Sequence, residues 1–102
     1  MELTGRAIEG AQHSLFIEIA LALFERARTR IQVALPEHAA DRPIQERWTE
    51  CPDPPCHEVM HFEFALRPDI QPQVLPIRVL AEANGVAREL HLMAPIGLRM
   101  PG

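Results

Sequence analysis

The sequence predicts an α+β protein: one N-terminal amphipathic helix packed on a mainly antiparallel sheet of about four strands, with an all-β sandwich as the alternative. Three observations point there. The stretch from Ser14 to about Thr29 is rich in Ala, Leu, Glu and Arg, which favour helix. "RIQVALP" and "MHFEFALR" alternate apolar and polar residues, as half-buried strands do. Near the C-terminal end, Asn84-Gly85 sits between two apolar runs, which marks a tight hairpin.

Taken in order, residues 4 to 13 carry Thr4 as a possible cap but have Gly5 and Gly10 inside, so they read as a frayed extension of the helix. Ser14 caps the helix proper, and Glu25 with Arg28 or Thr29 falls on its solvent side. The same segment also places Leu15, Ile17, Ile19, Leu21 and Leu23 in strict alternation. That second pattern is the source of the sandwich alternative, in which two sheets bury both alternating faces. Beyond Thr29 the period changes: Ile31, Val33 and Leu35 alternate with Gln32 and Ala34, and Pro36 stops the strand. Residues 36 to 56 are the least periodic. A short strand around Ile44 to Trp48 is the only element predicted there, and otherwise they form a long loop. Met60, Phe62, Phe64 and Leu66 then alternate with His61, Glu63, Ala65 and Arg67 between turn signals "PDPP" and "RPD", which predicts a strand. In the hairpin, pairing Ala83 with Val86 sets Val79 opposite Leu90, Ile77 opposite Leu92 and Arg78 opposite His91. Pro76 suits the start of a strand or an edge.

At 102 residues, 47% hydrophobic and 24% charged, the chain is a single domain, 1-102, with enough apolar material for its own core. The net charge of −4 leaves no basic footprint, so nucleic acid is not an expected partner. All ten basic residues are Arg, and neither Lys nor Tyr occurs, which we read as codon bias. The longest apolar run, "LFIEIALALF", spans only about 15 Å as a helix, half a bilayer's hydrocarbon core, so no membrane crossing is expected. With no leader or lipidation pattern, the expected address is cytoplasmic, and Cys51 and Cys56 read as reduced thiols beside a turn. A loop disulfide and metal ligation are the alternatives for them.

The segment "CPDPPCHEVMH" carries the one motif with chemistry in it. His57, Glu58 and His61 have the His-Glu-x-x-His spacing, which on a helix brings two imidazoles to one zinc ion with the glutamate beside it as general base. Over those five residues the chain resembles the zincin metalloproteases. The resemblance implies zinc as cofactor, Glu58 as catalytic base and a third ligand downstream, with Glu82, Glu89 and His91 as candidates. A structural metal site would use Cys51, Cys56, His57 and His61. Both metal readings need local geometry that a strand cannot supply, because residues four apart in a strand stand about 13 Å apart. The strand reading of residues 57 to 66 therefore makes "no cofactor" the primary expectation.

Three functions follow. The first is a small non-catalytic protein-binding or assembly module acting by self-association, as a homo-oligomer, or on a protein partner, with Trp48, Phe16 and Phe24 as interface anchors. The second is the zinc-dependent hydrolase. The third is a small acidic inhibitor of a protein partner.

Overall fold

The structure, a computed structural model, describes residues 1 to 97. Seven strands follow one another: β1 Glu2–Glu9, β2 Ser14–Leu23, β3 Ala27–Ala34, β4 Ile44–Cys51, β5 Cys56–Ala65, β6 Gln73–Ala83 and β7 Val86–Ile96. They form two antiparallel sheets, one ordered β1-β2-β5 and the other β4-β3-β6-β7. This is the Greek-key plan of immunoglobulin-type sandwiches, with the fourth strand beside the third. Among the described residues there is no helix, and hence none long and apolar enough to cross a membrane.

The α+β expectation is thus corrected to all-β, and the helix from Ser14 to Thr29 is instead β2, a short turn and the start of β3. The reason is energetic. Leu15, Ile17, Ile19, Leu21 and Leu23 are all buried, and each such burial is worth about 1.5–3 kcal/mol. The helix preference of Ala and Leu over other ordinary residues is at most about 0.7 kcal/mol per position. Between two sheets, period-2 burial wins. The supposed extension from residue 4 to 13 is β1 and its turn, with Thr4 inside a strand and Ser14 opening the next one.

The two middle strands and the C-terminal hairpin follow the sequence reading. Strands stand at Ile44–Cys51 and Cys56–Ala65. The hairpin register pairs Ala83 with Val86, Val79 with Leu90, Ile77 with Leu92 and Arg78 with His91. Asn84 and Gly85 take φ of 50° and 74°, the left-handed pair that a type I′ turn demands. Pro76 lies within β6 and not at its start. It is tolerated because β3 pairs with β6 only from Arg78 to Glu82, so no β3 carbonyl seeks an N–H there.

The core lies between the sheets, with Phe62, Phe64, Leu15, Ile17, Ile19, Ile31, Leu75 and Ile77 fully enclosed. One side of the sandwich is closed by β1 lying along β7. Gly5 permits that approach, since a Cβ there would stand 2.8 Å from Ile19 Cδ1 and 3.2 Å from Leu90 Cδ2. At the same side Glu9 accepts from the Gly97 N–H, at 2.9 and 3.1 Å.

The other side is closed by the inward residues of β4, which are polar. Gln45 Nε2 donates to the Glu63 carbonyl at 2.6 Å, the Arg47 guanidinium lies 4.4 Å from the Phe62 ring centroid, and Thr49 donates to the Glu58 carboxylate. At the end of this seam Cys51 and Cys56 are joined in a disulfide, with Pro52–Pro55 as its loop. The expectation of two reduced thiols is corrected accordingly: the "PDPP" turn reverses the chain tightly enough to bring their Cα atoms to 5.8 Å.

Thr29, paired with Thr49 on the inner face, is fully buried. Among the described residues its hydroxyl is the buried side-chain oxygen that lacks a hydrogen-bond partner. Thr29→Val removes that hydroxyl at constant shape, so it is expected to raise the unfolding free energy by about 1 kcal/mol. A urea midpoint that rises at unchanged slope is the readout; a midpoint that falls means that the hydroxyl is satisfied.

Candidate functional site

The histidine motif lies on β5. His57, Val59 and His61 point outward from the three-stranded sheet, while Glu58 and Met60 belong to the opposite side. The two imidazoles are four strand residues apart, about 13 Å of rise, too far for one zinc ion with ligand bonds of about 2 Å. Glu58 is turned away from both and takes the Thr49 hydroxyl instead. The helix that the hydrolase reading needs is therefore replaced by a strand.

The structural metal site fares no better, because Cys51 and Cys56 are bonded to each other. Among the described residues no group of three or more His, Cys, Asp or Glu side chains is placed to hold a metal ion. Glu82, Glu89 and His91, the candidate third ligands, sit on the other sheet.

His61 has a different role. It stands across from Glu18, which stands across from Arg6, making one charged row over the three strands. His61 Nε2 lies 3.2 Å from Glu18 Oε2, and Arg6 Nε lies 3.3 Å from Oε1. The His61 hydrogen bond holds the Glu18 carboxyl below the usual carboxylate range; desolvation is the next effect in size and opposes it, and the Arg6 charge and hydrogen bond add to the lowering.

The three interface candidates lie on three different surfaces. Phe16 is on the outer face of the three-stranded sheet, with its ring folded over Gly10, where a Cβ would come 2.3 Å from Phe16 Cε2. Phe24 lines a hollow of about 180 Å³ at the pole where β2 turns into β3, with Met1, Val86 and Arg88. That volume suits a single large side chain and falls short of the roughly 300 Å³ at which small-molecule sites begin. Trp48 stands on the outer face of the four-stranded sheet.

Around Trp48 the face is continuous. Three rows cross all four strands: Trp48–Arg30–Glu82–Ala87, Glu46–Gln32–Leu80–Glu89 and Ile44–Ala34–Arg78–His91. Met93 and Val74 extend it along β7 and β6. Trp48 is 51% exposed, Ile44 56% and Met93 65%, large apolar groups that the fold leaves in water. The Arg28 guanidinium lies 4.4 Å from the Trp48 ring centroid, Arg30 reaches Glu82 at 3.4 Å and Glu46 at 3.9 Å, and Arg78 pairs with Glu89.

Comparison of the chain with family models, curated proteins and solved structures found no match. The reading of the site therefore rests on its own chemistry.

Sequence reasoning locates Trp48 but misses Ile44, Arg28 and Met93 as its neighbours. The signal for Ile44 is present, since "IQERW" puts Ile44, Glu46 and Trp48 at period 2 on one face. Arg28 and Met93 join them only through pairings between distant segments, which no local pattern encodes.

Proposed function

We propose that this domain is a non-catalytic protein-binding or assembly module, and that it binds through the outer face of β4-β3-β6-β7. The observation that carries the reading is Trp48, half exposed and stacked by Arg28 on a face that also shows Ile44 and Met93. Trp and Arg are the residues most often found at the energetic centres of protein interfaces. Here they stand on paired strands, so little conformational freedom is lost when a partner arrives. Charges on this face are interleaved, Arg30 with Glu46 and Glu82, Arg78 with Glu89. That pattern favours a specific contact over the single-signed field that an acidic inhibitor of a basic partner would need.

The compartment belongs to the same proposal. Disulfides persist in oxidising compartments and are rare in the reducing cytosol, so Cys51–Cys56 weighs against the cytoplasmic address.

A photo-cross-linking residue placed at Ile44 in cells that make the protein is expected to capture a protein, whether a second copy or another chain. The same residue at Thr4, on the outer face of the three-stranded sheet, is the control. Capture at neither position, or equally at both, overturns the reading.

A further inference from the structure

The outer face of the four-stranded sheet is complementary to itself, and we infer that it forms a two-fold interface with a second copy of this chain. The inference rests on the binding-module reading above and names its occupant. A two-fold axis lying in the interface, across the strands and through the middle row, sets each row against its mirror row on the other copy. Gln32 and Leu80, the two central residues of that row, then face themselves. The row above, Trp48–Arg30–Glu82, meets the row below, Ile44–Ala34–Arg78, of the second copy.

The pairs that result are chemically matched. Trp48 falls on Ile44, two exposed apolar groups that each lose water. Glu82 falls on Arg78, opposite charges. Arg30 falls on Ala34, which leaves its aliphatic stem room to lie flat. Glu46 and Glu89 meet their own mates, but each already has an arginine beside it, Arg30 and Arg78 respectively. Turning the axis to run along the strands keeps one opposite-charge pair, Arg30 on Glu82, but sets Trp48 on Ala87 and Ile44 on His91, separating the apolar pair, and Glu46 on Glu89.

Four strands about 4.8 Å apart and about eight residues long give a face of roughly 500 Å² per copy. Two such faces bury about 1,000 Å², the lower limit for a specific interface, so the dimer is expected to be weak and to form as concentration rises. The curvature and twist of two aligned sheets bring the centre into closest contact, so the central row is where a cross-link reports the geometry.

The experiment is sedimentation of the purified chain across a concentration series, together with thiol cross-linking. Both native cysteines are bonded to each other, so an introduced cysteine is the one that reacts. Gln32→Cys is expected to give a covalent dimer with a short bismaleimide, while Thr4→Cys on the other sheet gives none. Ile44→Asp, at a position 56% exposed and outside the core, is expected to weaken the dimer at least tenfold. Arg78→Glu, which sets a new carboxylate against Glu82 of the second copy, is expected to do the same and serves if Ile44→Asp fails to fold. A chain that stays monomeric at several hundred micromolar overturns the inference, as does a dimer indifferent to both substitutions and silent at Gln32→Cys. If Ile44 nevertheless captures a different protein in cells, the binding-module reading stands without the dimer.

Discussion

Phe62→Ala is expected to destabilise the protein by about 3–5 kcal/mol, among the largest effects of any single truncation of a side chain in this core. Phe62 is 1% exposed and lies at the centre of β5, where its ring meets the inward core of both sheets and supports the Arg47 guanidinium. Its removal leaves a void that rigid strands on either side cannot close, and it strips Arg47 of the surface it covers. For a domain of this size the loss is a large fraction of the total stability, which is about 5–15 kcal/mol. Denaturant unfolding followed by circular dichroism measures it. A loss below about 1 kcal/mol would mean that the ring is not enclosed between the sheets. Phe16→Ala is the internal contrast, since that ring lies on the outer surface.

Removing the disulfide is the second large effect. Cys51 and Cys56 close a short loop, at a sequence separation of 5, and the chain-entropy cost that the bridge takes from the unfolded state is about 2 kcal/mol. The double variant Cys51→Ala, Cys56→Ala is expected to melt roughly 8–16 °C lower, at about 4–8 °C per kcal/mol. The parent protein in reducing agent should move toward the same value. Identical melting of parent and double variant under oxidising conditions would show that the bridge contributes nothing. The loss is expected to concentrate at one place, because the bridge ties β4 to β5 across the two sheets, whereas β3 and β2 hold those strands within their own sheets. Hydrogen exchange should therefore rise first in β4 and the outer edge of β5.

How much of this is legible in the residues depends on the range of the interactions that decide each element. The Asn84-Gly85 hairpin is readable with its register because a two-residue turn fixes the pairing of its own flanks. Residues 56 to 65 are readable as a strand because Phe62 and Phe64 alternate with His61 and Glu63 between turn residues, and that alone undoes the zinc motif. The N-terminal segment misleads because its two patterns coexist. Ala and Leu favour helix locally, and alternation at Leu15, Ile17 and Ile19 favours a strand only once a second sheet exists to receive them. That second sheet is assembled from residues 27 to 96, so the deciding partner is remote.

The same holds for the candidate face. Trp48 stands out in its own segment as a candidate anchor, but Arg28 stacks on it through the β3–β4 register, and Met93 joins the face only through β6. Size and apolarity alone group Phe16 and Phe24 with Trp48. The sandwich sends them to separate surfaces, since Phe16 on β2 and Trp48 on β4 lie on opposite outer faces and Phe24 lies in the turn after β2.

The polar seam of β4 also governs how the protein behaves when crowded with copies of itself. The run "MHFEFAL" on β5 is rich in aromatic and apolar residues and free of proline, the composition that seeds cross-β growth when its edge is bare. β5 is the outermost strand of its sheet, yet Gln45 occupies the Glu63 carbonyl along that edge, Arg47 roofs Phe62, and the disulfide keeps the neighbouring chain in place. An incoming strand meets a side chain already bound at the Glu63 carbonyl and a guanidinium over the Phe62 ring. Gln45, Arg47 and Thr49, which line the gap between the sheets, thus also act as a guard against fibre formation at this edge, with the Cys51–Cys56 bridge at their end.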